Sequence, residues 1–363
     1  MKRPNERVLS VIVFALFSSW LLAFPFQGQI LHALLDSHQL PAGEFIYGTI
    51  AAHLAGLFLC GFFIKTALMA KRLILYSIVA CIFASAIFFL PPSFLWMTAL
   101  LSASFLPGAC VAAWGCYFKI CSPQEERLRT AADALIFASI LMILLNMAAL
   151  HLSLYLGLGL SMIALGAAFQ FVLMLPGAAK PVDPAPTGPA GNQLSLTGPF
   201  ALLCLFIAVI AINGGLMYQV ISPAFAHLER LTGWYWAVPY IAAMSVMKNL
   251  PRKANRAYIL YVAIAMTGIS FILFTLLDRS ALSYIIVDTL MMGAFGLFDL
   301  FWLSILGAML SFSDNPAKLL GIGLSANVLG VLLGGLAGSA KSVAPARCAL
   351  FPQPTMLFSG RPQ

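Results

Sequence analysis

Ala70-Lys71-Arg72-Leu73-Ile74-Leu75-Tyr76 is answered later in the chain by Ala254-Asn255-Arg256-Ala257-Tyr258-Ile259-Leu260-Tyr261, and Ser122-Pro123, ahead of one apolar run, is answered by Asn315-Pro316 ahead of another. The two offsets, 184 and 193 residues, are similar enough to imply a duplicated unit. Self-similarity at a fixed spacing marks a repeated supersecondary element. In a chain this apolar, the repeated element is a set of membrane helices.

Composition supports that class. The 363 residues are 61% hydrophobic and 9% charged, with a mean hydropathy of +0.96, whereas soluble domains carry about 25% charged residues. A membrane-crossing helix needs about 20 mostly apolar residues. Runs of that kind, bounded by charge or proline, fall at 8–35, 45–69, 73–91, 94–118, 133–152, 154–176, 198–222, 232–247, 258–277, 281–309 and 318–339. The expected fold is therefore all-α and polytopic, with a lipid bilayer as its surroundings and no catalytic site.

Lysine and arginine collect on the cytoplasmic side of membrane proteins. With the N-terminus inside, fifteen of the twenty fall on that side, from Lys2, Arg3 and Arg7 to Lys248, Arg256 and Lys318, and only Arg230 and Arg279 fall in outer loops. The expected location is a cell inner membrane, with multiple passes and a cytoplasmic N-terminus. The same distribution accounts for the net charge of +8 without nucleic acid, because these residues are spread through short loops instead of clustering on one face. Lys2, Arg3 and Arg7 before an apolar stretch are reminiscent of a signal peptide. That stretch outruns the usual 7–15 residues and ends in Gln27, Gln29 and His32, which favours a retained helix.

Several enzyme and cofactor classes find no support. The seven cysteines lack paired metal-ligand spacing and read as small buried hydrophobes. There is no glycine-rich phosphate loop, no metal cluster and no nucleophile with a partner base. The expectation is no enzyme, no cofactor and no metal.

Pro181, Pro184, Pro186 and Pro189 make residues 177–197 an extended connector. It divides residues 1–176, a six-helix bundle, from residues 198–339, a bundle of five. If the repeat runs to completion, the run at 318–339 answers that at 133–152, and a further helix should answer 154–176. Residues 340–363 instead form an irregular tail, expected to be a frameshifted or otherwise altered end, with a natural eleven-helix protein as the alternative.

This layout, with six helices, an inner connector and a second set with matching loops, resembles the major facilitator superfamily over about residues 8–339. The resemblance implies two bundles around a central substrate path and transport of a small solute by alternating access. Gly61 fits the start of the family's signature loop and Lys71 with Arg72 its basic end, but Lys65 stands where the family has aspartate. The run at 94–118 lacks the arginine of many proton-coupled members, and that at 133–152 lacks the Gly-Pro motif of drug antiporters. Asp299-Leu-Phe-Trp-Leu-Ser-Ile-Leu-Gly, with Asn315-Pro316-Ala-Lys and Gly321-Ile-Gly-Leu-Ser-Ala-Asn327, also resembles the membrane part of bacterial helix-turn-helix regulators. That likeness implies sensing of a small-molecule signal by a chain truncated before its DNA-binding domain, so that this chain itself binds no nucleic acid.

Ionisable groups inside a membrane helix cost at least about 2.5–3.5 kcal/mol and mark function. Asp288 and Asp299, eleven residues apart, lie about 20° from alignment after three turns. They share a stripe with Tyr284, Met292, Phe295 and Trp302 that suits a substrate or ion path, a structural pairing of Asp299 being the alternative. Gln27, Gln29, His53, Asn213 and Gln219 are further candidates for that path, with interhelical hydrogen bonding as the competing role. Pro25 is expected to kink the first helix. Ser122 with Glu125 reads as a capping box, Asn315-Pro316 as an N-cap and first turn, and Gly330, Gly334 and Gly338 as a packing stripe.

Overall fold

The computed structural model describes residues 5–26, 28–177, 197–250 and 256–348. Among them the regular structure is all helical: α1 (Glu6–Ala23), α2 (Gln29–Ser37), α3 (Ala42–Phe63), α4 (Ala67–Ala86), α5 (Phe94–Cys121), α6 (Arg127–His151), α7 (Leu154–Met174), α8 (Thr197–Leu216), the short α9 (Ser222–Ala224) and α10 (Glu229–Thr232), α11 (Ala237–Asn249), α12 (Arg256–Leu276), α13 (Ala281–Met309) and α14 (Pro316–Cys348). Among the described residues, ten helical segments are long and apolar enough to cross a membrane. In a bilayer, helices satisfy every backbone group internally, which is why so apolar a chain resolves into them. Phe83, Phe94 and Leu202 lie largely open on the outer surface, where lipid would cover them.

Several boundaries differ from expectation, each for a local reason. The first run breaks at Phe24–Phe26, where Pro25 ends α1, and a Cβ at Gly28 would lie 2.1 Å from the carbonyl of Ala23, so only glycine lets α2 start so close. The run at 45–69 stops at Phe63 because Thr66 caps α4, its hydroxyl accepting from the Met69 amide at 3.2 Å. Lys71 thus lies inside α4, donating to the terminal carbonyls of Leu173 (2.8 Å) and Leu175 (2.7 Å) at the end of α7. A cation there complements the helix dipole. The run at 232–247 yields only the 13-residue α11, too short for a full span. It is delayed by the turn at Gly233–Trp236 and stopped at Leu250, which precedes Pro251.

The expected capping box at Ser122 does not form. A 3₁₀ turn at Gln124–Glu126 precedes α6, the Ser122 hydroxyl has no partner, and its carbonyl receives Arg127 Nε at 3.3 Å. Asn315 does cap α14, its side-chain oxygen accepting from Lys318 N at 2.9 Å, with Pro316 in the first turn. At the start of α13, Asp278 accepts from the hydroxyls of Ser283 and Ser280 and from the Ser280 amide. These bonds hold its carboxyl below the usual carboxylate range, the Ser283 hydroxyl contributing most.

The duplication is visible in the packing. α1 lies on α6 as α8 lies on α14, α3 on α5 as α11 on α13, and α4 on α5 as α12 on α13. Of the second copy of the sequence repeat, Ala254 and Asn255 lie outside the described residues, as do residues 178–196 of the connector and 349–363 of the tail. The tail's first residues, to Cys348, continue α14.

Glycines set the closest crossings. A Cβ at Gly56 would lie 2.0 Å from the Phe105 carbonyl oxygen, and one at Gly108 would lie 2.4 Å from that of His53, so α3 and α5 meet backbone to backbone. The stripe on α14 does the same against α8, Gly334 meeting the Ile212 carbonyl at 2.1 Å and Gly330 that of Ala208 at 2.2 Å. Neither backbone can retreat without separating the helices. Gly334→Leu is therefore expected to cost about 3 kcal/mol, seen as a lower melting temperature and early elution in detergent. Gly166→Ala, with nothing within 4 Å of the added carbon, should leave both unchanged.

Candidate functional site

Asp288 sits in α13, 1% exposed, and neither carboxylate oxygen has a hydrogen-bond partner of ordinary geometry. Around it the second set of helices is aromatic. Tyr284, one turn earlier, lies 5.3 Å from the Phe225 ring and 6.0 Å from that of Tyr235. Tyr235 in turn meets Thr289 through a 2.7 Å hydroxyl–hydroxyl hydrogen bond. Met217, Ile221, Val287, Met291 and Met292 complete the apolar part of this cluster.

The helix facing Asp288 is irregular there. Residues Met217–Ile221, continuing α8, form a π-helical turn. Pro223 explains the local weakness, because it removes the donor that the Gln219 carbonyl needs and crowds that carbonyl. Single π turns widen a helix and are frequent at functional sites. Sequence reasoning named Gln219 but missed this turn, although Pro223 inside a long apolar run was its signal.

Asp299 lies just over three turns further along α13, half-buried, and accepts the Tyr240 hydroxyl at 2.6 Å. Tyr218, half exposed within the π turn, is in electrostatic reach of both carboxylates. The stripe therefore brings Asp288 and Asp299 to one aromatic region with Tyr218, Tyr240 and Tyr284. Its Phe295 packs against both hydrophobic clusters of the protein, while Trp302 stacks on Phe298 at 6.2 Å.

The remaining candidates are dispersed. His53 is buried in α3, its Nδ1 3.1 Å from the Ser104 carbonyl of α5 and its ring 4.8 Å from that of Phe26. Asn213 donates to the Ile210 carbonyl of its own helix at 3.0 Å. Gln29 opens α2 and is half-buried, Gln219 fills the space beside Gly338, and Gln27 lies outside the described residues. Among the described residues no group of three or more His, Cys, Asp or Glu is placed to hold a metal ion.

Contacts close the gap between the two sets of helices at both ends. At the end bearing the N-terminus and most of the basic residues, Asp133 of α6 takes Arg7 of α1 at 2.6 Å and also pairs with Lys248 of α11. Arg127 reaches across to the Gly307 carbonyl (2.5 Å) and Ser311 hydroxyl (2.8 Å), Lys119 to the Ser313 carbonyl (2.8 Å), and Asn315 to the Gly61 carbonyl (3.1 Å). The turn between α3 and α4 carries Lys65 and no acidic residue, and this closure is made by other groups. Gly61 has a separate use, since a Cβ there would lie 2.8 Å from the Ala317 carbonyl. At the opposite end, Tyr47 of α3 bonds the Gly335 carbonyl at 3.2 Å and the Ser339 hydroxyl.

No family model matches the chain, and no curated protein matches it in sequence. Solved structures do match its shape. The human organic anion transporter MFSD10 (TETRAN) superposes with a TM-score of 0.70 at 15% identity, covering 95% of each chain. FucP, a major facilitator superfamily transporter in the outward conformation, superposes with a TM-score of 0.63 at 15% identity, over 95% of this chain and 93% of the other. The chain therefore has the major facilitator fold of a multi-pass membrane protein.

Proposed function

We propose that the protein is a transporter that moves a small solute by alternating access, the helices before residue 177 rocking against those after 197 with the N-terminus in the cytoplasm. The observation that carries this reading is Asp288. A buried carboxylate with no cationic partner, bordered by the neutral Tyr284 inside an apolar helix and opposite a π turn, is costly to keep unless a ligand uses it. The paired contacts at the two ends are the kind that alternating access makes and breaks in turn, and the structural neighbours FucP and MFSD10 are transporters. The path is read through Asp288, Asp299, Tyr218, Tyr240 and Tyr284, with Gln27, Gln29, His53, Asn213 and Gln219 as candidates lining it. Nothing in this reading calls for enzymatic chemistry or a cofactor.

Comparing the small-molecule content of cells expressing the protein with that of empty-vector cells tests transport. At least one solute should accumulate or deplete, and the difference should persist with purified protein in liposomes. Identical contents and no flux would reject transport in favour of sensing or no activity. Orientation has its own test: a cysteine replacing Arg230 should react with an impermeant maleimide in intact cells, and one replacing Arg129 only after lysis. Both positions are exposed at opposite ends of the bundle. Reversed labelling would overturn the orientation.

A further inference from the structure

The aromatic region around Asp288 also says what charge its ligand carries. Among the described residues, no lysine, arginine or histidine side chain pairs with Asp288 or Asp299. Asp299 is held by the neutral hydroxyl of Tyr240 at 2.6 Å, and Asp288 by nothing of ordinary geometry. The cation beside the cluster, Arg279, is committed elsewhere, donating to the Phe274 carbonyl at 2.7 Å and the Leu277 carbonyl at 3.2 Å. It also shows how the region treats positive charge, for its guanidinium lies 4.0 Å from the Phe274 ring centre and 5.6 Å from that of Phe225. Phe225 packs 5.3 Å from Tyr284, which borders Asp288. Aromatic faces carry negative electrostatic potential, worth about 0.5–2 kcal/mol toward a cation once water is excluded.

We infer that Asp288 is the counter-ion of an organic cation, a protonated amine or quaternary ammonium, received between the π turn after α8, α11 and the Tyr284–Asp299 face of α13. This rests on the transport reading for its biological use but not for its chemistry. A negative ligand would meet two carboxylates and phenol rings with no basic partner, each like-charge contact costing energy in a medium of low dielectric. A neutral sugar would leave the Asp288 charge uncompensated. An alkylammonium neutralises the carboxylate and places its methylene or methyl groups against Tyr284, Tyr235 and Tyr218. The π turn lets α8 give way there, and Asp299 supplies a second negative group further along the same face.

The probes are tetraethylammonium and benzoate, read by thermal unfolding of the full-length protein in nanodiscs. Tetraethylammonium should raise the melting temperature of the parent and of Asp288→Glu, benzoate should not, and Asp288→Asn should weaken the apparent affinity for tetraethylammonium at least tenfold. Equal stabilisation of parent and Asp288→Asn, stabilisation by benzoate alone, or no stabilisation by tetraethylammonium up to about 10 mM, where even weak sites load, would overturn the inference. Uptake of labelled tetraethylammonium into liposomes is read separately. Binding without uptake supports the cation site and counts against transport. Uptake of another solute that tetraethylammonium neither competes with nor follows sustains transport and overturns the cation site.

Discussion

Asp288→Asn should reduce uptake of the native solute at least tenfold at matched expression, while membrane insertion and melting temperature stay at or above parental values. The pairing of these outcomes distinguishes a ligand-binding carboxylate from a structural one. Removing one partner of a buried ion pair generally destabilises by about 3–5 kcal/mol because it strands the other charge. Asp288 has no such charged partner to strand: the side chain is buried, no hydrogen bond of ordinary geometry reaches its oxygens, and the neighbouring Tyr284 is neutral. Asparagine keeps the volume, removes a charge from an apolar helix and should fold as well or better. A ligand that depends on the charge loses its counter-ion, which by comparison with desolvated charge pairs is worth about 2–5 kcal/mol. Parental uptake in the variant would reject the path role, and a collapse in melting temperature would reassign Asp288 to architecture. Asp299→Asn should behave differently, since the Tyr240 hydroxyl loses a charged acceptor at 2.6 Å but keeps a neutral one, so that some stability is lost along with any effect on flux.

The fold was legible because a membrane leaves few solutions. Runs of apolar residues must become helices, and the α13 boundaries, Ala281–Met309, coincide with the expected run because Ser280 caps one end and Leu310–Phe312 tightens the other. The errors arose where short-range chemistry overrides hydropathy. Thr66 starts α4 inside a run that reads as continuous, and the Ser122 capping box is lost because a 3₁₀ turn at Gln124–Glu126 delays α6 to Arg127, which takes Ser122 away from the N-cap position. The two aspartates were readable as isolated charges on one helical face. Tyr235 and Phe225 were not, because aromatic residues are too common in such a chain to stand out until a neighbouring helix brings them together. The closure between the two sets was hidden as well, since Asp133 and Lys248 are 115 residues apart and neither belongs to a recognisable local pattern.

That closure carries the second large expectation. Asp133→Asn should loosen the contacts at the basic end and raise the reactivity of Cys116 toward a maleimide about tenfold in a variant retaining only that cysteine. Cys116 is 3% exposed on α5, where the first turns of α14 cover it, with Gly115 beside it meeting the Pro316 carbonyl within 2.7 Å of a would-be Cβ. The aspartate is shared, but its loss is not felt equally. Arg7 keeps Glu126 at 3.4 Å and Thr130 at 2.9 Å, whereas Lys248 is left without its carboxylate on the other side of the gap. Side-chain exposures of 15% for Asp133 and 30% for Lys248 place the pair between surface and interior, so the loss falls below the 3–5 kcal/mol of a fully buried pair, at about 1–2 kcal/mol. About 1.4 kcal/mol is a tenfold change in the population of the open form. The shift remains partial because Arg127, Lys119 and Asn315 still cross the gap. Lys248→Met should give a similar increase, and the two changes together little more than either, since they remove one interaction. Unchanged Cys116 labelling in both single variants would mean that the Arg127 and Asn315 contacts hold this end alone, with the ion pair serving only to orient α11 on α6.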